Sequence, residues 1–182
     1  MKRCIKKYIK HSSHLLLCLF IFSCRSENVN LSKTVEIDYD NKISKPKITI
    51  YQEQHRVIYA ISDMLYKNEE ENAILVGNVI SNFFDEGGAH ISTLHSDSAV
   101  IENFSNNLSA FGNVIVVSDS GYTLFSNQIY WNNQYKLVTS NDSVIFTNTY
   151  QDTMYGVGFE SDIDLTRSKI FKPYGIIKER KK

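Results

Sequence analysis

Short apolar runs separated by polar turn residues recur along the chain between residues 48 and 172. The runs are rich in β-branched and aromatic residues, and clusters of Asn, Asp, Gly and Ser separate them, which is the pattern of strands and turns. The segments predicted as strands are 48–51, 56–61, 64–66, 73–84, 90–95, 99–102, 108–117, 123–125, 128–131, 135–139, 143–147, 154–159 and 166–171. Many short strands at regular spacing predict an all-β sandwich or barrel.

Two local motifs repeat within these strands. Residues 75–80 (LVGNVI) recur 35 residues later as residues 110–115 (AFGNVI), and residues 155–159 (YGVGF) form a looser copy. The second motif is TLHSD at 93–97, TLFSN at 123–127 and, more weakly, VTSN at 138–141. In the second motif an apolar strand meets a Ser-Asp or Ser-Asn pair, and a new apolar strand then begins. A repeat of strand, corner and strand is typical of stacked V-shaped β units, in which each unit buries its apolar face against the adjacent units.

The start of the chain has the parts of a bacterial lipoprotein signal. Five basic residues and no acidic residue precede the apolar run 15–22, and Ser23 and Cys24 follow that run in a pattern that resembles a lipobox. Eight apolar residues cover about 12 Å as a helix, whereas a membrane span needs about 20 residues, so an uncleaved anchor is the weaker alternative. We therefore expect residues 1–23 to be a cleaved signal peptide, Cys24 to be the lipid attachment site, and residues 24–47 to form a tether.

Cleavage at this site changes the charge and the cysteine content. The whole chain has 20 basic and 20 acidic residues, and loss of the five basic residues before Cys24 leaves 15 basic residues and a net charge of about −5. That balance argues against nucleic acid as a partner. Cys4 and Cys18 are lost with the signal, so the mature chain has no thiol for a disulfide. A hydrophobic core must hold the domain predicted at 48–172, and the basic tail 173–182 is a solvated end.

Few residues of the mature chain suggest catalysis or a metal. His90 and His95 with Asp97 are the nearest approach to a metal site, but positions five apart on a strand point to opposite faces. The sequence has no Gly-x-Ser-x-Gly elbow, Gly-rich phosphate loop or His-Glu-x-x-His motif. We expect no metal, no cofactor and no enzymatic activity.

The order and spacing of the motifs resemble the LptC family, the membrane-anchored periplasmic component of the lipopolysaccharide exporter. The Gly-Asn-Val strands, the Ser-Asp/Asn corners and the late GVGFESD at 156–162 carry the resemblance, which covers roughly residues 48–172. It implies a twisted, V-shaped β-jellyroll similar to OstA/LptA-like domains, with an apolar interior that shields the acyl chains of lipopolysaccharide. The family members are anchored by an uncleaved helix, whereas this chain carries a lipidation motif.

The resemblance also implies a location and partners. It places the domain in the periplasm, held at the inner (plasma) membrane by a lipid anchor. It implies lipopolysaccharide, the subunits of the inner-membrane ABC transporter and a periplasmic bridge of like jellyrolls as partners. A scaffold lipoprotein of the same β architecture, which binds a protein or glycan and no lipid, is the main alternative, and a hydrolase on an unfamiliar β fold is a weaker one.

Strand alternation predicts which side chains line a lipid groove. It places Phe125, Ile129 and Trp131 on one face of their strands, and Phe111 and Ile115 on another. The predicted groove residues are Leu94, Phe111, Ile115, Phe125, Ile129, Trp131, Val144, Phe146, Val157 and Phe159. An open lipid groove and a closed core use the same residue types, so both interpretations stay open for each of these residues.

Overall fold

The computed structural model describes residues 39–69, 71–150 and 152–175. Its strands are β1 (Asn41–Ser44), β2 (Lys47–Gln52), β3 (His55–Ile61), β4 (Met64–Lys67), β5 (Ala73–Phe84), β6 (His90–Ile101), β7 (Leu108–Ser118), β8 (Thr123–Asn132), β9 (Leu137–Thr147), β10 (Thr153–Asp162) and β11 (Lys169–Pro173). The described residues contain no helix, and the all-β prediction is confirmed. The predicted signal peptide and Cys24 lie outside the described residues.

The boundaries of several predicted strands differ from the observed ones. Three pairs of predicted strands are single long strands, namely β6, β8 and β9. The polar residues that suggested a break in each of them form a bend, and pairing with the neighbouring strand resumes beyond it. β1 lies in the segment predicted as a tether and pairs with β4, so the sheet begins before residue 48.

The strands form one antiparallel sheet in the order β1-β4-β5-β6-β7-β8-β9-β10-β11, and β2 pairs with β3 beside β5. β4 pairs with the first part of β5, where Leu65 faces Leu75, and β3 pairs with the second part, where Ala60 faces Ser81. β3 and β4 therefore act as one bent strand along β5. All of this pairing lies between Asn41 of β1 and Pro173 of β11.

The strands bend at the same level of the sheet, which we call the corner line. The pairing register shifts there in successive pairs from β5 to β10. The corner line comprises residues 45–46, 62–63, 77–78, 96–97, 112–113, 126–127, 141–142 and 158. It divides the sheet into two walls. The first wall comprises β1, β4 and residues 73–76, 98–101, 108–111, 128–132, 137–140 and 159–162. The second wall comprises β2, β3 and residues 79–84, 90–95, 114–118, 123–125, 143–147 and 153–157.

The repeated Gly-Asn pairs form one kind of corner. Gly112 and Asn113 both have left-handed backbone, with φ of 74° and 46°. A Cβ on Gly112 would lie 2.5 Å from Oδ2 of Asp97, and the Asn113 side-chain amide donates to that same oxygen at 2.7 Å. Residues 77–78 make the same arrangement with Asp63. Glycine is needed here because the neighbouring carboxylate occupies the space that a side chain would fill.

The Ser-Asp and Ser-Asn pairs form the other kind of corner. Ser62, Ser96 and Ser126 are buried, and each hydroxyl donates to the carbonyl oxygen two residues later at 2.9–3.1 Å. Two successive residues point outward at such a corner, as at 127–128, so the inward positions shift by one residue along the strand. Strict alternation of inward and outward residues therefore fails across these corners.

The two walls pack face to face around one continuous apolar core. Phe83 of the second wall meets Trp131 of the first with ring centroids 5.1 Å apart, and Phe146 meets Phe159 across the walls at 5.6 Å. A bent antiparallel sheet whose two walls enclose an apolar interior is the predicted V-shaped β-jellyroll. The described residues contain no cysteine, so this core, and not a disulfide, holds the walls together.

Candidate functional site

The structure divides the ten predicted groove residues between its two faces. Six of them are at most 3% exposed in the core, namely Leu94, Ile129, Trp131, Val144, Phe146 and Phe159. Phe111, Ile115 and Val157 are half-buried, and Phe125 is 39% exposed on the outer face. The prediction that Phe125 shares a face with Ile129 and Trp131 is therefore wrong, because the corner at 126–127 lies between them and shifts the inward positions.

One end of the interior contains open space. A cavity of about 500 Å³ lies between the second wall and the end of the first wall. Its buried lining is apolar and consists of Val57, Phe83, Trp131 and Ile163, with the half-buried Ile91 beside them, and its exposed lining is polar and includes Gln52, Glu53, His55, Asp85, Glu86 and Gln134. Apart from Trp131, this lining was missed by sequence reasoning. It comes from turns and strand ends far apart in the chain, and no local pattern joins them.

Trp131, which lines the cavity, and two serines close to Phe83 have buried polar atoms without hydrogen-bond partners. In the described part of the chain, Trp131 Nε1 and the hydroxyls of Ser81 and Ser92 are buried and accept or donate no hydrogen bond. Ser92 is the cross-strand partner of Phe83, and Ser81 precedes Phe83 by two residues on β5. An unpaired buried polar group costs about 1–3 kcal/mol. The polar atoms around Phe83 thus lack the side-chain pairing that those of the corner line have.

Lys136 holds a positive charge at the edge of the cavity. Its Nζ donates to Gln52 Oε1 at 2.5 Å and to Asn133 Oδ1 at 2.8 Å, and it lies 5.4 Å from the centroid of the Trp131 ring. Burial lowers the pKa of Lys136, and the nearby Glu86 carboxylate acts in the opposite direction. These contacts connect the end of β2 to the turn before β9 and fix the ammonium group beside the cavity.

The loop between β10 and β11 closes another side of the interior. Ile163 lines the cavity and Leu165 is fully buried, with a left-handed backbone at φ 60°. The Ser118 hydroxyl donates to the backbone carbonyl of Asp164 at 2.6 Å. The loop thus leaves β10 at the end of the first wall and contacts the end of β7 in the second wall before it reaches β11.

Asp162 fixes the base of this loop. Its carboxylate accepts hydrogen bonds from the Arg167 backbone N–H at 3.1 Å, from Arg167 Nε at 2.7 Å and from the Thr166 hydroxyl at 3.1 Å. Burial alone would raise the pKa of Asp162, but these hydrogen bonds outweigh it and hold the pKa well below its usual range. The carboxylate is therefore ionised near neutral pH and ties both ends of the loop together.

A second concave surface lies on the outer face of the second wall. Ile115, Phe125, Ile145 and Tyr155 are successive cross-strand partners there, and they line a concavity of about 380 Å³. Tyr174 stacks on Tyr155 with centroids 6.4 Å apart. Two of the predicted groove residues, Ile115 and Phe125, belong to this outer row and not to the interior.

The described residues show neither a cluster of His, Cys, Asp or Glu suited to a metal ion nor a helix of the length and apolarity that a membrane span needs. His90 and His95 do not share a site. His90 Nδ1 lies 2.8 Å from Asp119 Oδ2, and His95 is exposed. The His90 ring thus belongs to a polar surface network at the start of β6.

A comparison with curated proteins found no match. The family model described as OstA-like protein matches residues 54–163. That span is more than half of the chain, includes β3 to β10 and ends at the cavity residue Ile163. OstA-like domains are found in the lipopolysaccharide transport proteins and are associated with transport, not with catalysis. The match covers most of the bent antiparallel sheet, and it shows that the chain belongs to the OstA-like protein family.

Proposed function

We propose that this protein is a lipid-carrying component of lipopolysaccharide export. In this proposal it accepts lipopolysaccharide from the inner-membrane ABC transporter and passes it to a periplasmic bridge of jellyroll domains. The observation that carries the proposal is the apolar cavity between the two walls of an OstA-like domain. Its volume of about 500 Å³ is within the usual range for small-molecule sites, about 300–1,000 Å³.

The cavity suits one acyl chain with its head group outside. The chain would lie against Val57, Phe83 and Trp131, and each methylene removed from water contributes about 0.8 kcal/mol. The exposed polar lining would leave the head group in water, with the Lys136 ammonium beside it. Beyond the Phe83–Trp131 contact the interior is packed with side chains, so only part of a lipid is buried. Partial burial keeps the affinity moderate, which transfer to a next carrier requires.

The anchor and the location are part of the same proposal. Acylated Cys24 would hold the domain at the inner membrane, and the residues after it would place the domain in the periplasm. Metabolic labelling with a palmitate analogue tests this. The wild-type protein is expected to take up the label and to fractionate with the inner membrane, and Cys24→Ala is expected to lose the label. Labelling that persists in Cys24→Ala would contradict the anchor assignment.

In-cell photo-crosslinking tests the lipid site. A photoreactive residue in place of Ile91 reports on the cavity, and one in place of Phe125 is a matched control on the outer face. We expect a lipopolysaccharide adduct at Ile91 that requires ATP hydrolysis, and none at Phe125. No adduct at Ile91 in a folded, correctly localised protein would contradict the proposal.

Depletion of the protein from cells is a second test. It should leave lipopolysaccharide in the inner membrane, and normal surface lipopolysaccharide after depletion would also contradict the proposal.

A scaffold role is the second candidate, and the outer row favours it. Phe125, Ile145 and Tyr155 are 39–42% exposed and adjacent, which suits a contact with another protein. The same cross-linking experiment separates the two candidates. Protein adducts at Phe125 without a lipid adduct at Ile91 would support the scaffold role and would make the residues of the interior ordinary core.

A further inference from the structure

One wall of the cavity belongs to a loop that is fixed at several points. Ile163 is 8% exposed and lines the cavity. The loop that carries it is tied to β7 through the Ser118 hydroxyl, and to itself by the hydrogen bond from the Ser168 hydroxyl to the Leu165 carbonyl at 2.8 Å. A side chain on such a loop cannot move aside as easily as one on a free surface loop.

The position of Ile163 in the cavity is also informative. Gln52, Glu53 and His55 belong to the exposed part of the lining and lie at or beside the turn between β2 and β3. Ile163 belongs to the side that is tied to β7, and the fully buried Leu165 follows it in the same loop. An acyl chain in the cavity would therefore contact Ile163 as part of a wall that the hydrogen bond to β7 and the buried Leu165 hold in place.

We infer that Ile163 limits the length of the acyl chain that the cavity accepts. This inference rests on the proposed lipid-carrying function and specifies its ligand as a single acyl chain of restricted length. Burial of one methylene changes the affinity about fourfold, which corresponds to about 0.8 kcal/mol. Affinity should therefore rise by this factor for each added methylene until the chain reaches Ile163. Further methylenes remain in water and add nothing, so the affinity levels off.

Replacement of Ile163 by Ala removes three side-chain carbon atoms at this wall. The remaining space can take about two to three more methylenes, provided that the loop stays in place. In Ile163→Ala the chain length at which affinity levels off should increase by that amount, and longer chains should gain about tenfold or more in affinity over the wild type. Ile163→Phe should shift the same point toward shorter chains.

The test is a titration with saturated fatty acids of increasing even carbon number. It uses the mature chain from residue 24, with Cys24→Ser to prevent acylation. Trp131 is the single tryptophan of the sequence and lines the cavity, so its fluorescence reports occupancy directly. Ile170→Ala is the matched control, because Ile170 packs against the core from β11 and does not belong to the cavity lining.

The outcomes separate this inference from the proposed function. The inference is supported if the chain length at which affinity levels off increases in Ile163→Ala, decreases in Ile163→Phe and is unchanged in Ile170→Ala. It is overturned, with lipid carriage left intact, if affinity levels off at the same chain length in all variants. Absence of saturable binding for every chain in the wild-type protein overturns the proposed function and this inference together. Ile163→Phe removes no core volume, so it keeps the test decisive if Ile163→Ala does not fold.

Discussion

The corner line and the cavity end of the interior use their residues in opposite ways. At the corner, Asp97 fills the space beside Gly112 and accepts a hydrogen bond from Asn113, so sterics and polar pairing agree. At the cavity, Trp131 keeps a buried polar atom without a partner in the described chain, and about 500 Å³ is left open beside it. Natural sequences give up local stability mainly at functional sites. The corner therefore specifies the fold, and the cavity end is the place to look for a ligand.

The largest expected effect is at the corner. Gly112→Ala places a Cβ 2.5 Å from the Asp97 carboxylate at a φ of 74°, and the clash and the left-handed backbone together should lower the free energy of unfolding by about 2–4 kcal/mol. Urea denaturation measures the loss. Gly88→Ala is the control, because Gly88 has a φ of 82° but nothing within 4 Å of an added Cβ. Equal losses in both variants would show that the corner carboxylate has no special role.

The cavity should respond in the opposite way. Ile91→Trp fills space that is open, so we expect the free energy of unfolding to change by less than about 1 kcal/mol. Fatty-acid affinity should fall at least about tenfold, because the added ring takes the place of the acyl chain. Ile145→Trp on the outer face is the matched control and should retain binding. Undiminished binding by a folded Ile91→Trp variant would remove the cavity as the lipid site.

The same contrast explains what the sequence could predict. The corners were predictable because each is local: the Gly-Asn and Ser-Asp/Asn pairs repeat beside apolar strands, and they mark the bends. Alternation could not predict which side chains point inward beyond each corner, because a Ser-Asn corner such as 126–127 shifts the inward positions by one residue. Strict alternation therefore predicts an inward Phe125, whereas its side chain points outward.

The cavity could not be predicted by any of these patterns. Val57, Phe83 and Ile163 come from three distant strand ends and share no spacing. Only the packing of the two walls against each other brings them together, and strand alternation contains no information about that packing.

A smaller effect is expected at the base of the cavity loop. Asp162→Asn keeps the shape but weakens the hydrogen bonds from Arg167 and Thr166, which should cost about 1 kcal/mol at neutral pH. The pKa of Asp162 is lower in the folded protein than in the unfolded chain, where it is about 3.9. Below about pH 4 the unfolded chain therefore binds more protons, and this contribution is present above that range and is lost as the pH falls.

Urea denaturation at several pH values checks the sign. The gap in stability between wild type and Asp162→Asn should be largest near neutral pH and should narrow below about pH 4. Asp142→Asn is the control, since Asp142 is an exposed corner residue, and it should change stability little at any pH. A gap that widens in acid would mean that the carboxylate destabilises the loop.

The smallest effect is expected on the outer face, where it separates the two sides of the sheet. Phe125→Leu alters a side chain that is 39% exposed, so the free energy of unfolding should change by about 0.5 kcal/mol or less, and the chain-length profile for fatty acids should stay the same. Phe146→Leu is the same replacement on an inner residue that is 3% exposed, and it should cost more because it leaves a void in the core. Similar losses in the two variants would mean that the corner at 126–127 does not turn Phe125 outward. Unchanged stability together with a changed fatty-acid profile in Phe125→Leu would instead place lipid on the outer concavity, because a residue outside the core can alter binding only by direct contact there.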